Sequence, residues 1–245
     1  MLPSTAMSLV WMAVITVALV QVSLFFTTIF VHRCVTHRGL DLHPVVRSIM
    51  HLHVRVFCGL SPRDWAAVHR KHHHFADKEG DPHSPYIYGL WHVFFGNYFY
   101  YRRERRDLAM VLKYTPDYRR DWIDGIPLIR YGVYSGLAIF MLLFGWLWGA
   151  VAWVLHMVLY VFLNAMINSL CHMIGYRNFD NKATNLQWVA LMTAGEGLHN
   201  NHHEYPSSAL FALRGWEFDP AWLLIRLLEV ARLARVRPEP IAKAA

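Results

Sequence analysis

Residues Leu9 to His37 read LVWMAVITVALVQVSLFFTTIFVHRCVTH, an apolar run, uncharged as far as Val31, that closes on two histidines. From Leu9 to Val31 the polar side chains are Gln21 and a scatter of Thr and Ser. At ~1.5 Å of rise per residue, a helix of this length crosses a hydrocarbon core about 30 Å thick. A secretory signal fits poorly: Met1 to Ser8 carries no Lys or Arg, and the run is longer than an h-region. The chain therefore enters a membrane here, and histidines begin where the span ends.

Two further apolar runs follow, 127–145 and 150–169, and the link Trp146 to Gly149 has no charge, which predicts a tight hairpin across the membrane. The composition agrees, with 55% hydrophobic residues against about 45–50% in soluble domains. The net charge of +7 sits almost entirely in the segments 32–126 and 170–245. By the positive-inside rule these are cytoplasmic and the N-terminus is outside, a parity that three spans satisfy. No helix-turn-helix, zinc-finger or RNA-binding signature is present, so nucleic acid is set aside. Cys34, Cys58 and Cys171 form no CxxC pair, which argues against a disulfide framework or a thiolate zinc site. The expected fold is all-α: a single integral membrane domain over 1–245, with about three transmembrane helices, interfacial helices and a cytoplasmic histidine-rich cap.

Within that cap, Val45 to Leu60 and Asp64 to Phe75 read as helices separated by a break at Ser61-Pro62. Ile87, Leu90, Trp91, Phe94, Phe95 and Tyr98 repeat at helical spacing and run into YYRRERR at Tyr100 to Arg106. Tyr86 to Arg106 is thus expected to be one interfacial helix. Arg102, Arg103, Arg105 and Arg106 suit a phosphate headgroup or the phosphates of CoA, or simply an anionic leaflet. Trp222 to Ala234 reads as an amphipathic helix and the tail from Arg235 as frayed.

The chain holds 16 histidines, and many fall into groups: His32-x4-His37, His69-x2-His72-His73, His199-x2-His202-His203, and His172 four residues after Asn168. On a helix, positions i, i+3 and i+4 share a face, so each HxxHH aims several imidazoles one way. Adjacent pairs such as His72–His73 and His202–His203 diverge around the axis and suit two metals rather than one. HxxxxH is off-register for a regular helix and works if the helix ends or loosens between its histidines. One HxxHH alone is a weak signal. Two of them, with an HxxxxH at one span end and a histidine at another, all on one side of the membrane, point to a dinuclear centre. His43, His51, His53, His74, His83 and His92 read individually as structural or supporting residues, and His156, deep in the third run, as a satisfied core group. Glu196, Glu204, Asp77 and Asp81 lie near enough to the boxes to orient imidazole N–H groups, or are plain solvated acids.

At these residues the chain resembles the membrane-bound fatty acid desaturases, especially the bacterial delta-9 type acting on acyl lipids or acyl-CoA. The segments that carry the likeness are HRCVTHRGLDLHP (32–44), WAAVHRKHHHFADKEGDPHSP (65–85), NSLCHMIGYRNF (168–179), GEGLHNNHHEYPSSA (195–209) and GWEFDPAWLLIRLLE (215–229). The resemblance implies a non-haem di-iron centre with His32, His37, His69, His72, His73, His172, His199, His202 and His203 as ligands. It implies that Asn168 holds a metal through water. It also implies dioxygen as co-substrate, a membrane-lipid or acyl-CoA substrate, and a bacterial inner-membrane location. Animal acyl-CoA members typically place two spans before the HxxxxH box, and here there is one. No HPGG segment marks a fused cytochrome-b5-like domain, so electrons are expected from a separate ferredoxin- or cytochrome-type donor with its reductase. A lipid hydroxylase is the nearest rival, although such relatives often show HxxxH in the first box. A rival of another class is a non-catalytic metal-binding or transport protein, and transport would need polar residues along spans that have almost none.

Overall fold

A computed structural model describes residues 6–238. Among the described residues the regular structure is helical, apart from one short ribbon and two isolated bridges around Asn185. Helix α1 (Ala6–Phe26) continues without a break into a π-helix, Thr27–Thr36. The cap follows as α2 (Pro44–Phe57), α3 (Pro62–Phe75), α4 (Pro85–Tyr88), α5 (Leu90–Glu104) and α6 (Leu108–Tyr114). A 3-10 turn, Ile129–Tyr131, leads into α7 (Gly132–Phe144) and then α8 (Trp146–Met173). The chain closes with α9 (Gln187–Met192), α10 (His199–Glu204) and α11 (Pro220–Val230). Strands β1 (Leu40–Leu42) and β2 (Ala234–Val236) pair antiparallel, Leu40 opposite Val236 and Leu42 opposite Ala234.

Among the described residues, two helical stretches are long and apolar enough to cross a membrane, Leu9–Thr36 and Trp146–Met173, and Ile129–Phe144 is a shorter apolar one. The hairpin between α7 and α8 is tighter than the sequence suggests. It turns on Gly145 alone, whose φ of +81° favours glycine, and α8 already begins at Trp146. Gly149 is a packing residue rather than a turn residue. A Cβ there would collide with the Phe140 carbonyl oxygen, so its absence lets the two helices touch.

The cap helices start where local chemistry dictates. Ser61 accepts the Asp64 N–H and Pro62 opens α3, while Asp219 caps α11 before Pro220. The expected helix over Tyr86–Arg106 is interrupted at Gly89 (φ +87°), leaving α4 and α5 as separate pieces. The aromatic stripe on α5 points outward: Trp91, Phe95 and Phe99 are all more than 60% exposed. The tail is not frayed at Arg235, because that residue pairs with Asp41 in the ribbon and Arg237 holds the Asp41 carboxylate at 2.6 Å. Residues beyond 238 lie outside the described residues.

The main core gathers α1 and its π-helix against α2, α8 and α11. Arg33 is fully buried in it. Its guanidinium reaches Asp219 at 2.7 and 3.0 Å and Ala209 O at 2.8 Å, and lies 3.8 Å from the Phe211 ring centroid. A charge so placed is tolerable only when paired and hydrogen-bonded, so this contact fixes the end of the first long helix against the C-terminal segment.

Candidate metal centre

The π-helix brings the first two histidines together. The His37 N–H donates to His32 O at 3.0 Å, a five-residue step in place of the usual four. That wider turn sets the imidazoles of an HxxxxH on one side, with ring centroids 4.9 Å apart. On α3, His69 and His73 lie one turn apart and His72 turns away. On α10, His199 and His203 do the same and His202 turns away.

Two groups of imidazoles result. One contains His32, His37, His69, His73 and His202, and the other His72, His172, His199 and His203. Within each group the candidate donor atoms all lie within 4.8 Å of one another. His73 and His203 stack across the boundary at 4.4 Å between centroids. Every histidine implied by the motifs thus falls in one of the two groups.

The donor chemistry tests whether a cation belongs there. Nδ1 of His32 lies 2.7 Å from Glu196, that of His172 2.7 Å from Asp77, and that of His72 2.9 Å from Asp81. A carboxylate only accepts, so each of these nitrogens carries the proton and each Nε2 presents a lone pair. Yet His32 Nε2 sits 2.9 Å from His69 Nε2 and 3.0 Å from His202 Nε2, and His72 Nε2 sits 3.3 Å from His203 Nε2. One proton per neutral ring cannot satisfy so many converging nitrogens. Ligands about 2.1 Å from one ion and at right angles to each other would be about 3.0 Å apart. The arrangement fits a metal ion in each group.

Burial, reinforced by neighbouring imidazoles, holds His37, His69, His73, His199, His202 and His203 well below the ordinary histidine value. They are neutral, the ligating form. Burial pushes Asp77, Asp81 and Glu196 upward, but the imidazole facing each outweighs it, and all three lie below the usual carboxylate range.

Three of the four nearby acids therefore orient imidazoles. Glu204 does not, since its contact is with Asn181 Nδ2 at 3.4 Å. Glu196 also accepts from Thr28 Oγ1, tying it to the π-helix. Asn168 donates to Asn97 Oδ1 at 2.9 Å, one turn before His172. His83 stacks on His72 at 4.6 Å and burial drives it down to about 3. His43 caps α2, His53 meets Ser23 at 2.9 Å, and His156 Nε2 reaches Phe57 O at 3.1 Å.

The motifs did not reveal what shapes the second HxxHH. Asn200 and Asn201, between its histidines, are fully buried. Asn201 donates to Phe211 O and Glu217, both at 2.8 Å, and Asn200 accepts the N–H groups of Asn178 and Phe179. A six-residue helix cannot hold itself in water, and this network pins it. The signal was present in the spacing, because positions 200 and 201 lie opposite 199, 202 and 203 and are still polar.

A cavity of about 770 Å³ opens onto the centre. The buried His32, His69, His199 and Glu196 line it, together with Leu24, Val133, Met157, Val161 and Ile167. The exposed arginines Arg102, Arg105, Arg106 and Arg130 also line it, which puts them at its open end.

A family model described as fatty acid desaturase matches residues 9–226. The chain is 33% identical over 218 residues to the sn-1 stearoyl-lipid 9-desaturase of Anabaena variabilis, covering 84% of this chain and 76% of that one. It is 35% identical over 230 residues to the Delta-9 desaturase-like 5 protein of Arabidopsis thaliana, 89% and 72% of the two chains. It is 34% identical over 214 residues to the sn-2 palmitoyl-lipid 9-desaturase of Nostoc sp. (strain 36), 83% and 73%.

Proposed function

The chain belongs to the fatty acid desaturase family and is an oxidoreductase of lipid metabolism, and on that premise we propose that it introduces the delta-9 double bond into a phosphate-borne acyl chain. The observation that carries the reading is the convergence of two imidazole groups at the buried end of an apolar cavity. His32, His37, His69, His73 and His202 would hold one iron; His72, His172, His199 and His203 would hold the other. Asn168 would reach the second through water. With iron bound, the centre supplies dioxygen activation and the oxidising power to remove two hydrogens from adjacent methylenes, chemistry no acid–base side chain can perform on an unactivated C–H bond.

The protein's own contribution is position and dryness. Glu196, Asp77 and Asp81 keep the Nδ1 protons and so aim the Nε2 lone pairs inward. Leu24, Val133, Met157 and Ile167 exclude water from the bound chain. Arg102, Arg105, Arg106 and Arg130 would bind the phosphate of the carrier. The names of the Anabaena and Nostoc relatives favour a glycerolipid as that carrier, and acyl-CoA is the second reading that the arginines allow. Each turnover takes up one dioxygen, two electrons and two protons and releases two waters, the electrons coming from a separate ferredoxin- or cytochrome-type protein.

Three spans, with α7 as the short one, would place both histidine-bearing segments on the cytoplasmic face of a bacterial inner membrane, consistent with the distribution of Lys and Arg.

Expression in an aerobic bacterial host beside a His202→Ala control, with gas chromatography–mass spectrometry of total fatty acids, tests the reading. A new delta-9 monounsaturated acid absent from the control is the expected result. A hydroxy acid would contradict it. Supplying labelled stearoyl-CoA or labelled phospholipid to membranes then separates the two carriers.

A further inference from the structure

Away from the paired groups, one more imidazole carries the same tether. His32, His72 and His172 each give Nδ1 to a carboxylate and turn Nε2 inward. His51 on α2 gives Nδ1 to Asp121 Oδ2 at 2.7 Å. Its ring is fully buried, and its Nε2 has no hydrogen-bond partner. That nitrogen faces Asp124 Oδ1 at 3.6 Å, too long for a hydrogen bond.

The surrounding groups are already committed. Asp121 Oδ1 accepts the N–H groups of Ile123 and Asp124 at 3.0 and 3.3 Å, and Arg47 lies 3.8 Å from its Oδ2. Asp121 is therefore the orienting carboxylate, with its charge balanced by Arg47. Asp124 Oδ2 accepts the Tyr118 hydroxyl at 2.7 Å, which turns Oδ1 toward His51. A buried ring nitrogen thus faces an anionic oxygen with no hydrogen bond between them, and a cation placed there would pair both.

We propose that His51 Nε2 and Asp124 Oδ1 bind a divalent transition-metal ion of the zinc class, with Asp121 orienting the ring. Two tetrahedral ligands about 2.1 Å from zinc are about 3.4 Å apart, close to the separation found. The Asp124 side chain is 11% exposed, so water completes the shell. The ion joins α2 to the turn around residues 117–125. That turn leads directly to Arg130 and Tyr131, both on the cavity wall. The site is separate from the iron ligands and shares none of their side chains.

Iron-loaded protein in detergent, dialysed against a modest excess of zinc chloride, provides the test, with both metals counted by plasma mass spectrometry. The expected result is one zinc per chain above unchanged iron. Asp124→Asn keeps the acceptor for Tyr118 and should weaken zinc binding at least tenfold, as should His51→Gln. Asp180→Asn, an exposed acid elsewhere, should leave it unchanged. Retained iron in each variant reports that it has folded. Zinc retained by both Asp124→Asn and His51→Gln, zinc gained only as iron is lost, or no zinc at all would each overturn the proposal.

Discussion

The two imidazole groups use different means to hold their rings. In the group of His32, His37, His69, His73 and His202, one ring is tied to a carboxylate, and aromatic packing supports others. Trp65 stacks on His69 at 4.6 Å with an interplanar angle of 13°, and Phe211 lies 4.7 Å from His202. In the group of His72, His172, His199 and His203, two rings are tied, to Asp81 and Asp77, and His83 stacks on His72. Stacking fixes a ring plane without adding charge. A carboxylate also fixes the tautomer and makes the imidazole a stronger donor. The second group should therefore hold its metal more tightly, and the first should be the labile half.

The largest effect comes from removing a ligand in either half. His202→Ala and His172→Ala should each reduce product below detection. The two should differ in the metal they retain: His202→Ala keeps close to one iron per chain, while His172→Ala leaves only the more labile half intact and keeps less. Equal retention would remove the asymmetry. Graded chelation of the wild type should likewise release iron in two phases, the first abolishing activity, followed by iron content and product together.

Next come the tethers. Asp77→Asn and Asp81→Asn should each cost roughly 10–100-fold in iron affinity or activity. Glu196→Gln should cost a similar factor but act on the first half alone, as the phase of chelation it shifts would reveal. Replacing the stacked aromatic is milder. Trp65→Leu forfeits a contact of about 0.5–1.5 kcal/mol, equivalent to roughly two- to tenfold in iron affinity for the first half. Glu204→Gln, close in sequence but orienting no imidazole, should stay within about twofold of wild type in a turnover assay, because its one contact is an exposed 3.4 Å hydrogen bond from Asn181.

Much of this centre was legible in the chain because spacing alone sets which histidines share a helix face. HxxHH fixes a direction on any helix, and the divergence of neighbours 72 and 73 follows from its geometry. Whether the helix loosens between His32 and His37 was not legible, since the π-turn is imposed by buried contacts such as Thr28 with Glu196. Nearness in sequence did not separate the tethering acids from Glu204: Asp81 meets an imidazole of its own box, but Asp77 and Glu196 meet His172 and His32 on distant segments. Arg33 with Asp219 is separated by 186 residues and His51 with Asp121 by 70, distances over which no local pattern speaks. In the fold, the apolar runs and the hairpin were readable from composition. The positions of its turns were not, as a single glycine at 145 or 89 stops a helix that periodicity alone would continue.

Mössbauer spectroscopy of the purified protein grown on 57Fe tests the central claim most directly. Two histidine groups with different tethers predict two iron atoms per chain in two distinct quadrupole doublets of equal area. One iron per chain in a single doublet would contradict a two-site centre, and two irons in a single indistinguishable environment would contradict the difference between its halves.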